Sequence, residues 1–225
     1  MRAARAATAT IPIEAGDLES DPVASGFIVS NAHPGGNITG TFLDFPEFSK
    51  KWLESLKEVV PQVTSVAVFW DPATGPTQLR AVEAAAPTLD VKPIVLEVEK
   101  RADFEPAFQS AKQQDAGALV ILSSPLIGAN TKLLAELALT HRFPAVTLFT
   151  EFAREGGLMA YGPNLLNFIR QQGVMAAKIL HGARPAELPI ERPTRFEFVL
   201  NLKTAAALDI VVPPSILLRA DDVIE

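Results

Sequence analysis

The chain has no cysteine, which excludes disulfides, thiol nucleophiles and thiolate-held metal sites and fits an oxidising or a reducing compartment equally well. Histidine is scarce: His33, His141 and His181 are spaced too far apart to form a metal motif. No apolar run approaches the length needed to cross a bilayer. Basic residues are the minority, and a net charge of -6 argues against a general affinity for nucleic acid or an anionic membrane. Phosphate-binding signatures are missing too. Gly35-Gly36-Asn37-Ile38-Thr39-Gly40 lacks both the G-x-G-x-x-G order and a P-loop lysine, and it precedes a strand, so it reads as a tight turn. Ser123-Ser124-Pro125 has no G-x-S-x-G elbow around it. Met1 to Ile13 carries Arg2 and Arg5 but no long apolar core, so the expectation is a chain without a signal peptide.

What is present is a regular alternation of apolar strands and helices. With 48% hydrophobic and 20% charged residues, 225 residues make a globular chain of one or two domains. Its centre is Thr64 to Thr150. Ser65-Val66-Ala67-Val68-Phe69-Trp70 ends in Asp71-Pro72, and Thr74-Gly75-Pro76 leads into an alanine-rich helix. Lys92 to Val98 precedes a helix from about Asp103 to Gln114. Ala118 to Leu122 precedes Ser123-Ser124-Pro125 and a helix from about Asn130 to His141, and Ala145 to Phe149 closes the series. Such a pattern predicts a parallel sheet covered on both faces, with ligands beyond the carboxyl ends of the strands.

The flanks are less regular. Arg2 to Ala9 reads as a helix, Ile11-Pro12-Ile13 as a stub of strand, and Asp21-Pro22 as the start of a helix through Val23, Phe27 and Ile28. Asn37 to Phe42 is a short strand. Phe48, Trp52, Leu53, Leu56 and Val59 mark an amphipathic helix from Pro46 to Val60. After Phe149 come a strand at Leu158 to Tyr161, a helix from Asn164 to about Leu180, a linker, a strand carrying Phe196, Phe198 and Leu200, a short helix at Lys203 to Leu208, and a polar tail. The segment order predicts an α/β protein of two Rossmann-like lobes with parallel sheets. One lobe is continuous (45–150); the other is assembled from 1–44 and 151–225, with two crossings, a hinge and a cleft.

Asp21-Pro22-Val23-Ala24-Ser25-Gly26, His33 to Gly40, Trp70-Asp71-Pro72, and Phe196 to Leu208 followed by Val212-Pro213-Pro214-Ser215-Ile216-Leu217 resemble the ABC-transporter substrate-binding proteins of the type I periplasmic-binding-protein fold. The resemblance implies a solute receptor, not an enzyme. It would bind a small organic ligand (an amino acid or an aromatic or organic acid) in the inter-lobe cleft and serve an ABC permease. The resemblance implies a periplasmic location; a chain complete as given, lacking a signal peptide, would be cytoplasmic. Ala3 to Ile13 resembles a point where the first lobe is already half finished, so an incomplete first lobe is expected. Its open strand edges predict a homodimer through that lobe.

Expected ligand contacts are Asp21, Asn37, Trp70, Asp71, Ser123, Ser124, Phe149 and Tyr161. Asp71 and the serines would supply hydrogen bonds, Trp70 and Phe149 apolar walls. No cofactor, metal or nucleic acid is expected. Asp71 before Pro72 equally suits a helix cap, and the serines equally suit caps. Two alternatives stay open: a Rossmann-like enzyme, for which no cofactor fingerprint or catalytic dyad is visible, and a ligand-sensing regulatory domain, for which no DNA-binding segment is visible.

Overall fold

A computed structural model describes residues 2–17, 22–42 and 45–225. Contacts divide the chain into two units, Met1–Asp44 with Pro163–Arg195, and Phe45–Gly162 with Phe196–Glu225.

The smaller unit is built on two parallel strands, β1 (Ile13–Asp17) and β2 (Ile38–Phe42), in register from Ile13↔Ile38 to Asp17↔Phe42. The expected stub at Ile11 to Ile13 is therefore a strand that runs on to Asp17. Its sequence, Ile-Glu-Ala-Gly-Asp, carries no apolar alternation; β2, buried at all five positions, supplies the partner. Close approach of the two depends on Gly40, at φ +147°, where a Cβ would lie 1.9 Å from the Ala15 carbonyl oxygen. No other residue fits there. The helix Leu165–Leu180 packs on both strands. Residues 188–191 run beside β2: the Thr39 hydroxyl donates to Leu188 O at 2.8 Å, and the Glu191 N–H donates to Gly40 O at 2.9 Å. Burial pushes the Glu14 carboxyl above the usual carboxylate range, and its Oε1 has no partner among the described residues.

The helix expected from Pro22 to Ile28 does not form. Gly26 N–H bonds to Val23 O and Phe27 N–H to Pro22 O, both at 2.9 Å, so the segment closes on itself as consecutive turns. Gly26, at φ 70°, adopts a left-handed conformation that stops a helix from propagating.

The larger unit contains β3 (Ser65–Trp70), β4 (Lys92–Glu97), β5 (Ala118–Ile121), β6 (Ala145–Thr147), β7 (Met159–Pro163), β8 (Phe196–Asn201) and β9 (Asp222–Ile224). They form one seven-stranded sheet in the order β4-β3-β5-β6-β7-β8-β9. The pairs β3/β4, β3/β5, β5/β6, β6/β7 and β8/β9 are parallel. β8 runs against β7: Asn201 N–H bonds to Leu158 O at one end and Asn164 N–H to Arg195 O at the other. Helices Phe45–Val59, Thr77–Ala85, Phe104–Gln113 and Thr131–Thr140 accompany the sheet. Trp52, Phe69, Phe104, Phe108, Leu119, Ile121 and Phe152 are among its fully buried large side chains.

Two placements differ from the sequence reading. β7 and β8, expected in the flanking lobe, belong to the central sheet, and the expected polar tail supplies β9, paired Val199↔Asp222 to Asn201↔Ile224. Met159, Ala160, Val199 and Leu200 are completely buried, and the edge of β6 offers the backbone partners that such apolar strands require. The chain consequently changes unit at Asp44/Phe45, Gly162/Pro163 and Arg195/Phe196, three crossings rather than the two expected.

Candidate functional site

The strand order reverses at β3. The chain leaves β3 for β4 on one side, then returns to β5 on the other. The carboxyl ends of β3 and β5 therefore flank a topological switch point, where open α/β sheets hold their ligands. Trp70-Asp71 ends β3 and Ser123-Ser124 lies just beyond β5; the Leu122 N–H bonds to Phe69 O at 3.0 Å and ties the two ends together.

Several of these polar groups serve local structure. Asp71 is buried, and its Oδ1 accepts the Ala73 N–H at 2.9 Å, capping the turn Pro72–Thr74. The Trp70 indole N–H donates to Gly75 O at 3.0 Å, which fixes the ring beside that turn. Ser124 Oγ accepts the Ile127 N–H at 3.1 Å and caps the short helix Pro125–Gly128. Phe149 follows β6 and lies over Gly128, where a Cβ would come within 3.1 Å of the ring.

Ser123 is different. Its backbone is clamped by Gln78, whose Nε2 donates to Ser123 O and whose Oε1 accepts the Ser123 N–H, both at 2.8 Å. Its hydroxyl is buried and has no partner among the described residues. Buried polar atoms are nearly always satisfied, and among these strand-end side chains this is the atom left open. Sequence reasoning missed Gln78. The signal was an amide on the helix face otherwise buried through Leu79 and Val82, an apolar periodic position that a surface glutamine would not occupy.

The structure thus gathers Trp70, Asp71, Ser123, Ser124 and Phe149 at the ends of the neighbouring strands β3, β5 and β6. Tyr161 stands apart from them. It sits on β7 in an aromatic cluster, with ring centroids 5.7 Å from Phe48 and 6.3 Å from both Phe196 and Phe198. Asn37 belongs to the smaller unit, where its Nδ2 donates to Ile11 O at 2.8 Å and to Thr8 O at 3.3 Å, fastening the segment before β1. Asp21 lies outside the described residues. Among the described residues no three His, Asp or Glu side chains gather as metal ligands would, and no helix is long and apolar enough to cross a membrane.

The family model of the ABC transporter substrate binding protein matches residues 2–224. The curated tyrosine-binding protein of Clostridioides difficile (strain R20291) is 24% identical over 213 residues, which is 92% of this chain; the chain spans 60% of that relative's length. Among solved structures, the ABC domain in complex with L-Trp from Streptococcus pneumonia superposes with a TM-score of 0.88 at 22% identity, covering 98% of this chain and 74% of that one. A conserved domain protein from Vibrio cholerae gives a TM-score of 0.87 at 23% identity, covering 99% and 74%. At these identities the structural likeness is one of fold. With the family model matching nearly end to end, the chain belongs to the ABC transporter substrate-binding proteins and has their type I periplasmic-binding-protein-like α/β fold.

Proposed function

We propose that this chain is the solute-binding component of an ABC-type uptake system and that it holds an aromatic amino acid at the switch point of its larger unit. The observation that carries this reading is the Ser123 hydroxyl, buried without a partner among the described residues while Gln78 fixes its backbone. Leaving such a group unpaired costs about 1–3 kcal/mol, a penalty that a ligand's polar head would relieve. Asp71 adds a carboxylate suited to an ammonium group, and Trp70 and Phe149 add apolar walls for a ring. Tyrosine and L-Trp, named with two relatives, are ligands of this chemistry. Delivery to a membrane permease and a location outside the cytoplasm follow from the same reading.

Titration calorimetry with L-Trp and L-Tyr against L-Ala and ribose tests it. Saturable binding of the aromatic amino acids alone is expected. Ser123→Ala should weaken that binding about tenfold or more while leaving the free protein as stable as before or slightly more so, because an unsatisfied hydroxyl is removed. If no amino acid binds, or if Ser123→Ala and Asp71→Asn both bind like the native chain, the assignment fails.

Self-association through the smaller unit belongs to the same proposal. Among the described residues β1 pairs only with β2, and the helix over them exposes Leu166, Ile169, Val174 and Leu180. A two-fold axis would set β1 antiparallel to its copy and satisfy both edges. Sedimentation at micromolar concentration should show a dimer; a clean monomer would remove this part.

A further inference from the structure

Tyr161 and its aromatic neighbours line a groove of their own. It lies between the helix Phe45–Val59, strands β7 and β8, and the segment after the helix Pro214–Leu217, and encloses about 390 Å³. That volume is in the range of small-molecule sites. Its floor is Tyr161 stacked with Phe196 at 6.3 Å, with Phe48 behind at 5.7 Å from Tyr161. Phe196 touches two aromatic rings and still leaves 39% of its surface exposed, facing the groove.

The charges around it are unequal in their commitments. Arg219 is bound to Glu58 at 2.6 Å, and Glu58 also accepts from Ser215. Asp221 accepts the Phe198 N–H at 2.8 Å. Glu54 lies 3.6 Å from Lys50. Among the described residues Lys51 has no such counter-charge: its Nζ donates to the Tyr161 hydroxyl at 3.1 Å and sits 5.1 Å from the centre of that ring. Its described partner is a phenol, so a cationic side chain stands at the mouth of an aromatic groove, with Glu54 beside Lys50 and one Asp221 oxygen on the Phe198 N–H.

We propose that this groove is a second binding site, separate from the switch-point site, for a small aromatic carboxylate. The anion would pair with Lys51 Nζ, with the ring laid along Phe196 and the edge of Tyr161. An anion would meet Lys51 without breaking the Glu54–Lys50 pair or the Phe198 N–H bond to Asp221. The site stands on the groove's own residues and does not depend on the ligand proposed for Ser123.

The chain has a single tyrosine, so labelling with 3-fluorotyrosine places one fluorine reporter in this groove. Titrating phenylacetate into the labelled protein should shift that resonance saturably, and neutral phenylacetamide should bind more weakly. Lys51→Met should weaken phenylacetate binding about tenfold or more, the loss of one charged hydrogen bond. Phe196→Ala should also weaken it. Both side chains are exposed, so unchanged melting of the variants separates lost binding from lost fold. Ser123→Ala, aimed at the other site, should leave the phenylacetate titration unchanged. The proposal is overturned if the resonance does not shift saturably, if Lys51→Met binds like the native chain, or if Ser123→Ala abolishes the shift.

Discussion

Replacing Trp52 with alanine is expected to cost about 3–5 kcal/mol and to leave the larger unit close to unfolding. Trp52 has no exposed surface and is one of the largest side chains in that core. It lies on the buried face of the helix Phe45–Val59, 6.0 Å from the ring of Phe48, and its indole N–H donates to Tyr161 O at 2.8 Å. Truncation therefore opens a cavity and also takes the indole donor from a half-buried β7 carbonyl. Trp52→Phe separates the two effects, since it keeps most of the volume but loses the N–H, and should cost about 1–3 kcal/mol. Urea denaturation followed by far-UV circular dichroism measures both. A Trp52→Ala protein within about 1 kcal/mol of the native chain would mean that this helix does not anchor the sheet.

Gln78→Leu should lower stability by about 2–5 kcal/mol and also abolish binding at the switch point. The side chain is 1% exposed and satisfies both backbone groups of Ser123, so leucine leaves a buried N–H and a buried C=O unpaired, at about 1–3 kcal/mol each. It also frees the segment that positions the Ser123 hydroxyl. Gln78→Glu should fall between, because it keeps an acceptor for the N–H but turns a second oxygen toward the Ser123 carbonyl. Thermal melts and L-Trp calorimetry on the same samples read the two effects. Native-like behaviour of Gln78→Leu in both would show that the clamp does not hold the strand end in place.

What could be read without coordinates was what depends on neighbours along the chain. Ser65 to Trp70, Ala118 to Leu122 and Ala145 to Phe149 stood out as strands because unbroken apolar runs suit a sheet covered on both faces, and strands form there, ending at Trp70, Ile121 and Thr147. Asp71-Pro72 and Ser124-Pro125 read as ligand contacts and equally as caps, because a side-chain oxygen before proline is local helix-start chemistry, and both do cap. Gly26 shows the limit within a single turn. Asp-Pro promised a helix, but the left-handed glycine four residues after Pro22 closes the segment as turns instead.

Only the tertiary structure decided which residues meet across long separations. An apolar strand encodes the need for a neighbour, not the identity of that neighbour, so β7, β8 and β9 could be recognised or overlooked but not assigned to a sheet. The consequence for function is direct. Tyr161 shares its type and its strand-end position with the expected ligand walls, but the pairing of β7 with β6 and β8 turns it toward Phe196 and Lys51. Gln78 and Ser123 are 45 positions apart; the helix periodicity marks Gln78 as buried but does not name its partner. Chain-local physics determined the strands, the caps and the family motifs; the register of a parallel sheet, set by contacts among distant segments, decided which of those side chains come together.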